Sequence, residues 1–213
     1  MTEFQKRVIT SFFLIILLCF SFLNNYILSS ILFLITLIIL IEFHNIFKKI
    51  FYKNKIIQLL SIFLALSYLL YFSLNIWLFL LQNLNENKTF LIFILTICIS
   101  TDIGGYFFGK LFKGKKITRI SPNKTYSGMI GSFFLSLVIT YIFFSNLNFS
   151  LNFYLIIILI SLLSQIGDLF ISFLKRKAKI KDTGSFLPGH GGLLDRMDGM
   201  LFAVPLGIIL VSI

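Results

Sequence analysis

Charge is what this sequence has least of. Only 13% of its 213 residues are Asp, Glu, Lys or Arg, against 58% that are hydrophobic. A soluble domain of this size cannot hide so much apolar side chain in one core, so lipid must solvate it. Proline is nearly missing, at 3 residues, and no Pro- or Ser-rich stretch marks a linker or a soluble domain. Cysteine stops at Cys19 and Cys98, which lie inside apolar runs, far from each other and from any His or acidic cluster; neither a disulfide nor a thiolate site is supported, and both read as packing residues. No internal repeat stands out. Negative charge is the scarcest kind, with 8 acids against 19 basic residues and a net charge of +11. Basic loops orient any membrane protein, so this excess calls for no nucleic-acid partner.

What is present is a series of long apolar runs. A transmembrane helix needs about 20 apolar residues, and seven runs near that length fall at 8–23, 26–47, 56–81, 89–108, 128–145, 151–174 and 193–213. The fold class is therefore all-α: one polytopic membrane domain with seven transmembrane helices. No small-residue cleavage site follows Phe22, and Asn24-Asn25 reads as a tight turn, so the first run is taken as a helix and not as a signal peptide. The third run, near Trp77 and Gln82, fits either one tilted helix or a helix plus a re-entrant piece. With seven helices and a cytoplasmic N-terminus, Lys6 and Arg7, the cluster Lys48 to Lys55, the loop Lys110 to Lys124 and the loop Lys175 to Arg196 all face inward. That places 18 of the 19 Lys and Arg residues inside and only Lys88 outside.

An ionised side chain within a transmembrane segment costs several kcal/mol unless it is paired or wet, so the acids that remain are informative. Glu3, Glu42 and Glu86 fall at run ends or in short connections, where solvated interfacial positions are expected. The five Asp residues differ. Asp102 and Asp168 lie inside apolar runs, and Asp182, Asp195 and Asp198 follow closely, all toward the face of the two strongest basic loops. Such a gathering suits a salt-bridge network, a proton or ion relay, or a metal site for phosphate chemistry. Asp195 and Asp198 are three apart, so on a helix they share one face. Gly184, Gly189, Gly191 and Gly192 surround Pro188 and His190 in a stretch that cannot be regular helix. Beside Lys175, Arg176, Lys177, Lys179 and Lys181, that loop offers N–H donors and positive charge to a triphosphate, while carboxylates hold a divalent metal. His190 fits a hydrogen-bonding brace as well as a catalyst; His44 reads as interfacial.

The earlier loop repeats the theme with Gly104, Gly105, Gly109 and Gly114, then Lys115, Lys116, Arg119 and Ser121 to Thr125. Gly109 to Lys115 matches G-x-x-x-x-G-K. Lys116, however, stands where Ser or Thr would bind magnesium, and a membrane helix precedes the motif instead of a buried strand, so it is not a P-loop.

The run Ser172-x-x-Lys175-Arg176, then Lys181-Asp182-x-Gly184, then Pro188-x-His190-Gly191-Gly192-x-x-Asp195-Arg196-x-Asp198 resembles the full signature of phosphatidate cytidylyltransferases. Asp102, Gly105-Tyr106-Phe107, Gly109, Ser121-Pro122, Lys124-Thr125, Gly128 and Gly131 resemble a second segment of that family; Asn123, Ser127 and Ser132 depart from it. The resemblance covers residues 100–213, the catalytic half, and reaches 1–88 only through general hydrophobic character.

The resemblance implies transfer of a cytidylyl group from CTP to phosphatidic acid, giving CDP-diacylglycerol and diphosphate at the cytoplasmic face of the cell inner membrane. It implies a magnesium-dependent enzyme, usually a homodimer, with the metal on Asp168 and Asp195 and a potassium ion sharing the site. On the same grounds Asp102, Asp182 and Asp198 complete the shell, Lys175, Arg176, Lys181 and Arg196 clamp phosphates, and Ser121 and Lys124 contact the nucleotide. Ser172, His190, Gly191 and Gly192 belong to the substrate site. A CTP-dependent lipid kinase and a cation transporter are the rival readings. The intact Asp-Arg-x-Asp signature disfavours the first, and the crowding of acids at one face disfavours the second.

Overall fold

The computed structural model describes residues 24–82, 84–118, 121, 124–144, 151–189 and 191–212, together with isolated positions between 5 and 20. Among the described residues the chain is all-helical: α1 (Asn25–Ile50), α2 (Lys55–Gln82), α3 (Leu84–Phe112), α4 (Tyr126–Phe144), α5 (Leu151–Lys177) and α6 (Leu194–Ser212). The expected first run, 8–23, lies outside the described residues apart from those isolated positions. Five helices, α1 to α5, are long and apolar enough to cross a membrane. Their outer faces carry side chains that water would not tolerate in such density, such as Phe63 and Leu64, each 70% exposed. The seventh run does form a helix, but Asp195, Arg196 and Asp198 crowd its start, and it is not among those five.

Local chemistry sets the boundaries. Asn24 caps α1 by accepting from the Tyr26 amide at 2.9 Å, and Asn54 caps α2 by accepting from the amides of Ile56 and Ile57 at 3.1 and 3.2 Å. The third run is one continuous helix of 28 residues; at 1.5 Å per residue it extends about 42 Å, enough to cross a bilayer core of about 30 Å at a tilt. Helix α3 is longer than its apolar run of 89–108 suggested, because polar residues join it at both ends. It closes with Lys113 at φ 44°, whose amide bonds back to the Gly109 carbonyl at 3.2 Å. Helix α5 likewise continues through Lys177 and ends in a Schellman turn: Lys179, at φ 56°, bonds to the Arg176 carbonyl and Ile180 to that of Lys175. The two basic loops thus shrink to 113–125 and 178–193.

The residues form two compact units, Met1–Trp77 with Leu174–Met197, and Leu78–Phe173 with Asp198–Ile213. In the second, α3 and α4 touch through small residues. A Cβ on Gly104 would come within 2.8 Å of the Gly131 carbonyl, one on Gly128 within 2.7 Å of the Gly105 carbonyl, and one on Gly131 would strike the Phe108 ring. Ser132 then donates to the Thr101 carbonyl at 2.8 Å. Without water to drive helices together, such close backbone approach and interhelical hydrogen bonds are what hold membrane helices. Gly167 makes a similar approach to the Asp198 carbonyl, 2.6 Å from where its Cβ would stand.

Candidate active site

In the second unit a cavity of about 340 Å³ opens among α3, α4, α5 and the 113–125 loop, with Asp102, Ser121, Lys124, Gln165 and Asp168 on its wall. The Lys124 ammonium pairs with Oδ2 of Asp168, and the Ser172 hydroxyl donates to Oδ1 at 3.3 Å. Asp168 and Asp102 both act electrostatically on the Asp198 carboxyl, which also accepts from the Gly199 amide at 2.9 Å. Carboxylates this near each other repel unless cations stand between them. Nε2 of Gln165 is buried without a hydrogen-bond partner, and an unpaired buried donor on a cavity wall is a group ready for a ligand.

The first unit holds Asp195 in the opening turn of α6. Its Oδ1 takes the Lys175 ammonium at 2.7 Å, in a pair that is largely buried. Its Oδ2 accepts from the amides of Thr183 and Gly192 at 2.8 and 3.1 Å. In the segment between, Leu187 and Gly191 exchange both backbone hydrogen bonds, and Gly189 at φ 77° and Gly191 at φ 85° take backbone angles that favour glycine. Arg176, Lys181 and Arg196 are exposed around this centre. Asp182 lines a separate recess of about 770 Å³ with Lys48, Lys49 and Lys55, so the basic cluster between α1 and α2 meets the 182–185 segment. His190 lies outside the described residues, as do Pro122 and Asn123.

Several positions differ from their sequence reading. Glu42, expected at a solvated interface, is 4% exposed. It accepts from the amides of Leu193 and Leu194, both at 2.9 Å, and from the Thr183 hydroxyl at 2.6 Å. The signal was available: Glu42 stands within the run 26–47, and α6 opens at two leucines that cannot cap it. Gly104, Gly105 and Gly109 are helical residues of α3 at its contact with α4, not parts of a phosphate loop. Gly192 has a packing duty, since a Cβ there would strike Thr183 and Glu42. Ser127, a departure from the family pattern, accepts from the Gly114 amide at 3.2 Å and bonds Thr125 at 3.0 Å, bracing the loop.

The sequence profile of the cytidylyltransferase family matches residues 1–213. The chain belongs to that family. It is 38% identical over 134 residues to the phosphatidate cytidylyltransferase of Staphylococcus aureus strain COL, covering 61% of this chain and 52% of that protein. It is 44% identical over 110 residues to that of Staphylococcus haemolyticus strain JCSC1435, covering 50% and 42%, and 42% identical over 130 residues to that of Bacillus subtilis strain 168, covering 59% and 48%. The chain thus spans about half the length of the curated relatives it matches.

Among the described residues no three His, Cys, Asp or Glu side chains gather closely enough to hold a metal ion. The donor chemistry nonetheless fits magnesium, which takes hard oxygens and is commonly held by one or two carboxylates together with waters and substrate phosphates. Asp168 and Asp195 offer such oxygens, and each already faces an ammonium, Lys124 and Lys175 respectively.

Proposed function

We propose that this chain carries out the reaction CTP plus phosphatidic acid to CDP-diacylglycerol plus diphosphate. The single observation that carries the reading is the cavity in which Lys124, Ser121, Asp102 and Asp168 meet, beside a buried, unpartnered Gln165 amide. Its volume lies in the range of small-ligand pockets, about 300–1,000 Å³.

A phosphate oxygen of phosphatidic acid attacks the α-phosphorus of CTP in line; the bond to the β-phosphate oxygen breaks and diphosphate leaves. The attacking phosphate is already an anion near neutral pH, so no side-chain nucleophile is needed. The protein's task is to bring two anions together and spread the charge that builds on the leaving group. Lys124 and Lys175 are paired with Asp168 and Asp195, and Arg176, Lys181 and Arg196 add exposed positive charge. Ser121 and the Gln165 amide offer hydrogen bonds to the nucleotide. By the family resemblance, Asp168 and Asp195 would be the magnesium ligands and Asp102, Asp182 and Asp198 their supporting carboxylates; a bound metal would neutralise phosphate charge, and potassium is the further cation that the resemblance implies.

The same reading makes the chain an inner-membrane protein with seven crossings, counting 8–23, and a cytoplasmic N-terminus. It would act as a homodimer with its site on the cytoplasmic side. The clustering of Lys48, Lys49, Lys110 and Lys175 to Lys177 at alternate helix ends supports that orientation.

The experiment is diphosphate release from CTP by purified protein in detergent, with and without phosphatidic acid and magnesium, beside Asp195→Asn. Turnover that needs both additions and falls at least about a hundredfold in the variant is expected. A folded sample that releases no diphosphate under any of these conditions would sink the assignment.

A further inference from the structure

Helix α6 begins without a cap of its own. The carbonyl of Leu193 takes the first helical hydrogen bonds, from Arg196 and Met197 at 3.0 and 3.2 Å, so Leu193 holds the capping position with a side chain that can accept nothing. An α-helix leaves its first amides unpaired, and a buried unpaired amide is costly. Glu42 answers this from α1, 151 residues earlier in the chain. Its Oε1 accepts from Leu193 and its Oε2 from Leu194, and its negative charge meets the positive end of the helix dipole.

The same carboxylate is linked to Asp195 through one residue. Thr183 donates its hydroxyl to Glu42 at 2.6 Å and its backbone amide to Asp195 at 2.8 Å. The hydroxyl also lies 3.1 Å from Oδ2 of Asp195, but it has one proton, and the shorter contact takes it. Gly192, which sends its amide to Asp195, has no room for a Cβ because Glu42 and Thr183 fill that space. Both residues whose amides donate to Oδ2 of Asp195 thus lie against Glu42, Thr183 through a hydrogen bond and Gly192 through close packing. Glu42 and Thr183 are both buried, whereas Lys175 on Oδ1 keeps partial exposure.

We propose that Glu42 is a positioning residue for Asp195: it caps α6 and, through Thr183, fixes the direction in which the Asp195 carboxylate points. For its activity arm this inference rests on the cytidylyltransferase reading; its structural arm does not. Glu42→Gln keeps the size but turns an amide NH₂ toward a backbone N–H, so one of the two amides loses its acceptor. Thr183→Val removes the hydroxyl and leaves both Glu42–amide bonds intact, and Thr183→Ser restores the hydroxyl.

Two readouts test this in full-length protein in detergent. Hydrogen exchange of a peptide containing Leu193 and Leu194 should be at least about tenfold faster in Glu42→Gln and near wild type in Thr183→Val, because only the first loses an amide acceptor. In diphosphate release, kcat should fall at least about tenfold in both Glu42→Gln and Thr183→Val, with the KM for CTP within about twofold, and Thr183→Ser should recover most of it. A folded Glu42→Gln protein with wild-type kcat overturns the proposal, as does one whose Leu193–Leu194 exchange is unchanged. If the wild-type protein itself releases no diphosphate, the function reading fails, and the exchange measurement still decides whether Glu42 holds the loop.

Discussion

Lys124 and Lys175 each hold an aspartate that the family resemblance assigns to the metal, and neither pair was visible in the spacing of the chain. Lys124 is 44 residues from Asp168, and Lys175 is 20 from Asp195. On the proposed reading, such a lysine would both neutralise a carboxylate and offer its charge to a substrate phosphate. Lys124→Ala should lower diphosphate release at saturating CTP by about tenfold or more, with Lys124→Arg retaining part of it. A wild-type rate in Lys124→Ala would remove this residue from the site. Some residues were legible by type, since Asp within an apolar run demands an explanation. Glu42 obeyed the same rule and was missed because its run ends only a few residues later.

At the scale of elements, the glycines of α3 and α4 decide how closely two membrane helices approach. They belong to packing, although their density beside lysines resembled a phosphate-binding loop. Gly131→Val would drive a side chain into Phe108, and overpacking of this kind costs about 1–3 kcal/mol. The expected result is a lower midpoint of thermal unfolding in detergent, with Ser132→Ala producing a smaller drop through loss of its bond to the Thr101 carbonyl. An unchanged midpoint in Gly131→Val would mean that α3 and α4 do not meet as described. The loops were overestimated for a related reason: hydropathy marks where a segment leaves lipid, whereas helical hydrogen bonding continues past that point, as α3 does to Phe112 and α5 to Lys177.

For the whole molecule, the proposed orientation predicts which residues meet each side of the membrane. In a Cys19→Ser, Cys98→Ser background, an impermeant maleimide applied to intact cells should label Lys88→Cys, and should reach Lys53→Cys only after the cells are opened. The reverse pattern would invert the topology. Lys53 lies in the turn between α1 and α2, and Lys88 at the start of α3, so the 28 residues of α2 lie between them. The positive-inside argument from Lys48 to Lys55 therefore does not depend on the undescribed first run.

The amino-acid sequence by itself determined that the chain is helical and membrane-bound, because apolar runs of about 20 residues admit no other solution for the backbone in lipid. It also pointed to the family, because Asp, Gly, Lys and Arg stand at the spacing of its signature from Ser172 to Asp198. Only the tertiary structure decided which cation sits on which carboxylate, which glycines are packing surfaces, and that a glutamate from α1 caps α6. Those facts join residues 20 to 152 positions apart, and hydropathy, periodicity and short motifs report on neighbours along the chain, not on partners brought together by folding.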